Sequence, residues 1–154
     1  MSTPFLAKQF CTFHVDAVCF GIDVHDVQEV IRPQPMTRVP QAPPAVSGLI
    51  NLRGQIVTAI DLRCRLGLKP RANSNACMNV VLRDGEGCVS LLVDEIGDVF
   101  NVDSSKFEAP PSTTNSKGRD LIVGAYKLPD RLLLVLNTNR VIDEVERHAE
   151  TKLA

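Results

Sequence analysis

The sequence predicts a mainly β fold built as two small, similar barrels and finished by one C-terminal helix. Three observations carry this. Short apolar stretches with period-two alternation, separated by turns rich in glycine and proline, run through most of the chain. Helical patterning is confined to a few short places. A segment of the first half recurs in the second, with the blocks around it in the same order.

Taken in order, Cys11, Phe13 and Val15 alternate with Thr12, His14 and Asp16, as in a strand buried on one face. A turn near Asp16-Ala17 leads into a second strand, Val18 to Ile22. Gly48 to Leu52 and Ile56 to Ile60 flank Arg53-Gly54-Gln55 and read as a hairpin. Asp61 is placed to cap one helical turn running through Leu66, which Gly67 stops. Asn79 to Arg83 and Cys88 to Val93 flank Asp84-Gly-Glu-Gly87, where glycine supplies the positive φ of a tight turn. Ala125 to Leu128, Pro129-Asp-Arg131 and Leu132 to Leu136 form a further hairpin. Val141 to Glu150 is polar, with Val141, Ile142 and Val145 on one side, as in a surface helix. Residues 32 to 44 and 109 to 119 are Pro-bearing loops, and 69 to 76 are a third polar connection.

The repeat is Ile22-Asp-Val-His-Asp-Val-Gln-Glu-Val30 against Leu91-Leu-Val-Asp-Glu-Ile-Gly-Asp-Val99. Apolar residues coincide at the first, third, sixth and ninth positions, acidic ones at the fifth and eighth. Each copy follows a hairpin and precedes a Pro-bearing loop and a second hairpin, Gly48…Asp61 in one half and Gly124…Asn137 in the other. Two copies of roughly 70 residues imply two similar β units, so many short strands being better housed in small barrels than in one open sheet.

Composition excludes several functions. The formal net charge is −1 with no basic stripe, and one Tyr with no Trp leaves little for stacking, so nucleic-acid binding has no footprint. The longest apolar runs are far too short to cross a bilayer, and the N-terminus lacks the pattern of a signal peptide. Five cysteines, at 11, 19, 64, 77 and 88, form no Cys-x-x-Cys pair and no ligand pattern with the three histidines, so no metal site is expected. Asp23, Asp26, Glu29, Asp94, Glu95 and Asp98 read as a solvated face rather than a catalytic set, and Ser47, Ser104 and Ser105 lack a base at motif spacing.

Several blocks closely resemble the CheW domain family: Phe20 to Ile31, Val39-Pro-x-Ala-Pro43, Gly48-Leu-Ile-Asn-Leu-Arg-Gly54, Ile60-Asp-Leu-Arg63, Leu92 to Val99, Ile122-x-Gly124 and Asp130 to Asn137. The resemblance covers about residues 8 to 143, leaving 144 to 154 as helix and tail. It implies two packed, five-stranded SH3-like β-barrels, intertwined as subdomains of one domain spanning 1 to 154, with terminal strands able to cross between them. It also implies a non-catalytic chemotaxis adaptor without a cofactor, which couples methyl-accepting chemoreceptors to a CheA-type histidine kinase. Its partners would be the kinase's regulatory domain and the cytoplasmic tip of the receptors. Its location would be cytoplasmic, at the inner face of the membrane only through receptor arrays. With no receiver, phosphotransfer or ATP-binding unit in these residues, the stand-alone adaptor is expected over the CheV type or a kinase fragment. Two alternatives stand beside it: an adaptor of a non-flagellar chemosensory pathway, for surface motility or second-messenger control, and a small β-barrel enzyme using Cys64, which lies between Arg63 and Arg65.

Carried over residue by residue, the receptor- and kinase-binding set is Val27, Glu29, Val30, Gly48, Asn51, Arg53, Ser90, Val99 and Gly124. Arg53 heads a hairpin turn as an interface donor, and Glu29 is expected to pair with it and orient its guanidinium. Val27 is expected to be accessible beside the receptor groove. Gly48 and Gly124 are expected to need glycine's backbone freedom and to let a partner helix approach. Many relatives carry glycine where Ser90 stands, on a strand expected to border the groove. Val93, Ile96 and Val99 read first as core residues, with Val99 also kept among the contacts.

Overall fold

The computed structural model describes residues 7–69, 76–85, 87–109 and 120–142. The strands are β1 (Ala7–Val15), β2 (Val18–Asp23), β3 (Val27–Ile31), β4 (Val46–Leu52), β5 (Gln55–Asp61), β6 (Met78–Asp84), β7 (Gly87–Val93), β8 (Glu95–Asp103), β9 (Ile122–Lys127) and β10 (Leu132–Leu136). All four expected strand pairs form as antiparallel hairpins, β1–β2, β4–β5, β6–β7 and β9–β10. The short helix α1 (Leu62–Arg65) also forms as read, with the Asp61 carboxylate accepting from the Arg63 amide at 3.0 Å. Gly67, at φ 74°, ends it, and the Leu68 amide reaches back to the Arg63 carbonyl. Residues 138–142 are helical, beginning three residues before the expected start because Asn137 caps them through its Oδ1. The rest of the expected C-terminal helix lies outside the described residues.

The strands form two five-stranded sheets, β8-β1-β2-β10-β9 (sheet I) and β3-β6-β7-β5-β4 (sheet II). Exchanging the two halves of the chain, five strands each, turns one order into the other. The two copies of the repeat therefore do not each form a unit. Each sheet takes the first hairpin of one half and the last three strands of the other, joined by parallel pairs, β2 with β10 and β7 with β5. The crossings are short. After β2 the chain makes one 3-10 turn, Val24–Asp26, capped by Asp23, and enters sheet II; after β7 the single residue Asp94 leads into sheet I.

Burial explains why the hairpins are exchanged. Phe13 and Val15 of β1 and Phe20 and Ile22 of β2 enter a central core with Ile60, Val80, Leu82, Leu91 and Val93 of sheet II. Their other faces carry Phe10 and Cys19, which join Tyr126, Leu133 and Val135 in a lateral core of sheet I. Ile50, Val57, Ala59, Val81 and Leu92 make the matching lateral core of sheet II. The one-sided burial expected for β1 is thus corrected. Thr12 is also buried, its hydroxyl donating to the Asp98 carbonyl at 2.5 Å, because β1 lies inside a sheet covered on both faces. Val141 and Ile142 are buried in the central core as well.

The free edges of each sheet are drawn together by one bridge. Thr37, beyond β3, pairs with Leu49 of β4, and Glu108, beyond β8, pairs with Ala125 of β9. Gly48 and Gly124 sit at these two closures. Neither has a positive φ, so the expected conformational demand is corrected to a steric one. A Cβ on Gly48 would stand 2.7 Å from the Thr37 carbonyl oxygen; one on Gly124 would overlap the Phe107 ring and stand 2.6 Å from the Glu108 carbonyl oxygen. Both glycines are buried by the chain itself, Gly48 by the Thr37 backbone and Gly124 by the Phe107 ring and the Glu108 backbone, so neither offers room to a partner helix.

Gly48→Ala and Gly124→Ala are each expected to lower stability by about 1–3 kcal/mol, as overpacking against backbone does. Urea unfolding should show this, with far-UV dichroism reading both sheets and the single Tyr126 reading the lateral core of sheet I. Because the halves are interleaved, the two signals should keep a common midpoint in each variant; separate midpoints would contradict the shared core.

Candidate functional site

An exposed polar feature of sheet II is built on the β4–β5 turn. Leu52 pairs with Gln55, leaving Arg53 and Gly54 as the central residues, with φ 51° and 88°. Positive φ at both positions marks a type I′ turn, whose right-handed twist suits a hairpin. Glycine takes the second position freely, whereas an arginine in the left-handed region costs about 1–2 kcal/mol. Asn51 explains how the turn is kept: its Oδ1 accepts from the Gly54 amide at 2.9 Å. The side chain of Asn51 therefore shapes the loop.

Arg53 donates through Nη2 to Glu29 Oε2 at 2.5 Å, the pairing expected from the sequence. Glu29 lies on β3, an edge strand, just after a bulge in its pairing with β6 between Val27 and Glu29. A bulge turns the following side chain, here the carboxylate, toward the hairpin. The pair is lopsided in exposure: Arg53 is 69% exposed and Glu29 24%. The hydrogen bond from Arg53 holds the Glu29 carboxyl below its ordinary value, and Glu29 in turn raises Arg53. Cys88 is close enough to feel both charges, but burial first, and then Glu29, pushes its thiol upward, away from the reactive thiolate.

The remaining expected residues divide. Val30 is 39% exposed on β3, and Val27 is half-buried against the central core rather than open. Val99 is 56% exposed on β8, an edge strand of sheet I, which corrects its reading as core; Val93 is buried and Ile96 packs partly against the same core. Val30 and Val99 stand at equivalent places in the two halves. Ser90 is fully buried, so it borders no groove. Its hydroxyl donates to Asn79 Oδ1 at 2.8 Å, and Asn79 Nδ2 donates to the Arg32 carbonyl at 3.1 Å. The matching positions in sheet I are Gly21 and Phe10, where a Cβ on Gly21 would meet Leu133 at 2.8 Å. Sheet II replaces a glycine and a ring by a hydroxyl and an amide that satisfy each other. That exchange is legible only once the two halves are aligned strand by strand.

One site was missed. Asp94, read as part of a solvated face, is largely buried and grips Arg63 with both carboxylate oxygens, Nε to Oδ1 at 3.2 Å and Nη2 to Oδ2 at 2.8 Å. A signal was present: Asp94 occupies the fourth position of the repeat, where the other copy has His25, so its charge lies outside the shared acidic pattern. The same contact weakens the case for Cys64, which packs partly buried against the central core while the guanidinium beside it in sequence is engaged by Asp94. Among the described residues no three His, Cys, Asp or Glu side chains are placed to hold a metal ion, and no helix is long and apolar enough to cross a membrane.

Comparison with known proteins agrees with this architecture. The family model described as CheW-like domain matches residues 9–146. The Chemotaxis protein CheW of Bacillus subtilis (strain 168) is 31% identical over 137 residues, covering 89% of this chain and 88% of the relative. That of Klebsiella aerogenes is 26% identical over 141 residues, covering 92% and 85%. Among solved structures, that of the scaffolding protein TtCheW from Thermoanaerobacter tengcongensis superposes with a TM-score of 0.76 at 27% identity, covering 86% of this chain and 90% of that one. With a family model matching most of its length, and with two five-stranded sheets like those of a solved relative, the chain belongs to the CheW-like domain family.

Proposed function

We propose that this protein is a non-catalytic chemotaxis adaptor, joining the cytoplasmic tip of chemoreceptors to the regulatory domain of a CheA-type histidine kinase as one double-sheet domain. Membership of the CheW-like family supports the adaptor role, and the Arg53–Glu29 pair supports its location. A mostly exposed guanidinium, fixed by a carboxylate beneath it and carried on a turn that disfavours arginine, is a pre-oriented donor. Arginine in that state can donate several hydrogen bonds to a partner without first losing much side-chain freedom. The contact surface comprises Arg53, Glu29 and Val30 on sheet II and Val99 on sheet I, with Val27 at its inner margin. Asn51, Gly48, Gly124 and Ser90 act behind it by holding the turn, the two sheet closures and the lateral core. The mechanism is geometric: holding receptor and kinase at fixed spacing lets a receptor movement bias the kinase's conformational equilibrium. Recruitment to the membrane is through the receptors alone.

Co-sedimentation with receptor-containing membranes, with and without a CheA-type kinase, tests this. Arg53→Asn is the sharpest variant, since asparagine tolerates the left-handed turn and should leave stability unchanged or improved. Binding should nonetheless weaken by about 1 kcal/mol or more, roughly fivefold, as for an interface anchor. Undiminished binding would remove Arg53 from the contact surface, and no binding by wild type would remove the adaptor reading.

The pair also fixes a pH dependence. Because Glu29 is depressed below its ordinary value in the folded protein, the pair is fully formed above that value and is lost as pH falls through the folded one. Binding should therefore be insensitive to this group between about pH 8 and 6. Carbon-detected NMR of the Glu29 carboxyl should place its midpoint below that of Glu29 in Arg53→Asn.

A further inference from the structure

Both surfaces of an adaptor are useful only if the body between them is stiff, and the passage of the chain from sheet II to sheet I is held by a largely buried polar junction. Asp94 is the single residue between β7 of sheet II and β8 of sheet I. Its amide donates to the His14 carbonyl at 3.0 Å, and its Oδ2 accepts from the Asp16 amide at 2.8 Å. Those two bonds fasten the crossing to the β1–β2 turn of sheet I, where Asp16 and Ala17 both have positive φ without glycine. From the opposite side Arg63, on α1 at the end of β5 in sheet II, closes on Asp94 with two hydrogen bonds. It places Nη2 3.5 Å from Asp16 Oδ1 and donates through Nη1 to the Lys69 carbonyl at 3.0 Å. Arg63 and Asp94 are 16% and 12% exposed, far less than the members of the other ion pairs among the described residues except for Glu29. The equivalent positions in the other half are Asn139 and His25, so the exchange of halves does not itself require such a pair.

We infer that Arg63, gripped by Asp94, is the positioning residue that fixes sheet I against sheet II and thereby sets the spacing of the partner surfaces they carry. An arginine suits the task because its planar fork meets both carboxylate oxygens at once, which a lysine cannot do. The mechanical half of this inference stands on the structure alone; its functional half rests on the adaptor reading.

The test uses the full chain with Arg63→Gln, Arg63→Lys and Asp94→Asn. Nitroxide labels are introduced through bioorthogonal residues at Gln28 on β3 and Val123 on β9, both exposed and one on each sheet. In the variants that remain folded, the inter-sheet distance distribution should shift or broaden relative to wild type. Affinities for receptor tips and for the kinase regulatory domain, measured separately, should stay unchanged. Kinase activation in reconstituted ternary assemblies should fall about fivefold or more, the low end of allosteric coupling energies. A residue that only stabilised the fold would lower the melting temperature and leave the distances alone, and that result would overturn the inference. So would a loss of activation matched by an equal loss of either binary affinity. Should Arg63→Gln fail to fold, Arg63→Lys and Asp94→Asn decide the matter. If wild type binds neither partner, the adaptor reading fails, while the distances still decide whether Arg63 positions the sheets.

Discussion

Everything else in this structure depends on a hairpin that must be covered on both faces. β1 and β2 present Phe13, Val15, Phe20 and Ile22 to one side and Phe10 and Cys19 to the other. A lone hairpin of that kind cannot bury itself, and its own half of the chain offers only β3, β4 and β5. Giving the hairpin to the other half solves the problem twice over, since β6 and β7 are given in return. The central core is the product of this exchange. It draws residues from both sheets, from α1 and from the start of the terminal helix, which is why neither half is an independent layer.

The local elements were legible in the sequence because their causes are local. Alternation, the glycines at 54, 67 and 85, and the capping residue Asp61 act within a few positions of themselves. The duplication was legible as well. What alternation could not reveal was which hairpin belongs to which sheet, because pairing across the chain leaves no mark on a single strand's pattern. Gly48 and Gly124 show the same boundary. The sequence marked them as equivalent, but the reason is chain packed from more than ten residues away, the Thr37 carbonyl at Gly48 and the Phe107 ring with the Glu108 carbonyl at Gly124, not a backbone angle.

The site divided along the same line. Glu29 and Arg53 could be paired in advance because the resemblance placed both near one groove, and the structure brings them into contact. Val99 was misjudged because its counterpart pattern reads as core, whereas β8 lies at a sheet edge with that face uncovered. Ser90 was misjudged in the opposite direction. The resemblance set its strand beside the groove, but the side chain is buried, with Asn79 supplying the acceptor that makes burial inexpensive. Asp94 was lost among other acidic residues, and only the crossing between sheets makes its position special.

The near-equivalence of the two halves has a consequence for orientation. A partner that followed only the order of the strands would meet the same arrangement twice, once in each sheet. The two are told apart by side chains. Where one half turns its hairpin through Arg53-Gly54, the other runs through Pro129, Asp130 and Arg131, with the Leu128 amide closing on the Arg131 carbonyl. The body thus has a head and a tail although its two sheets share one strand order.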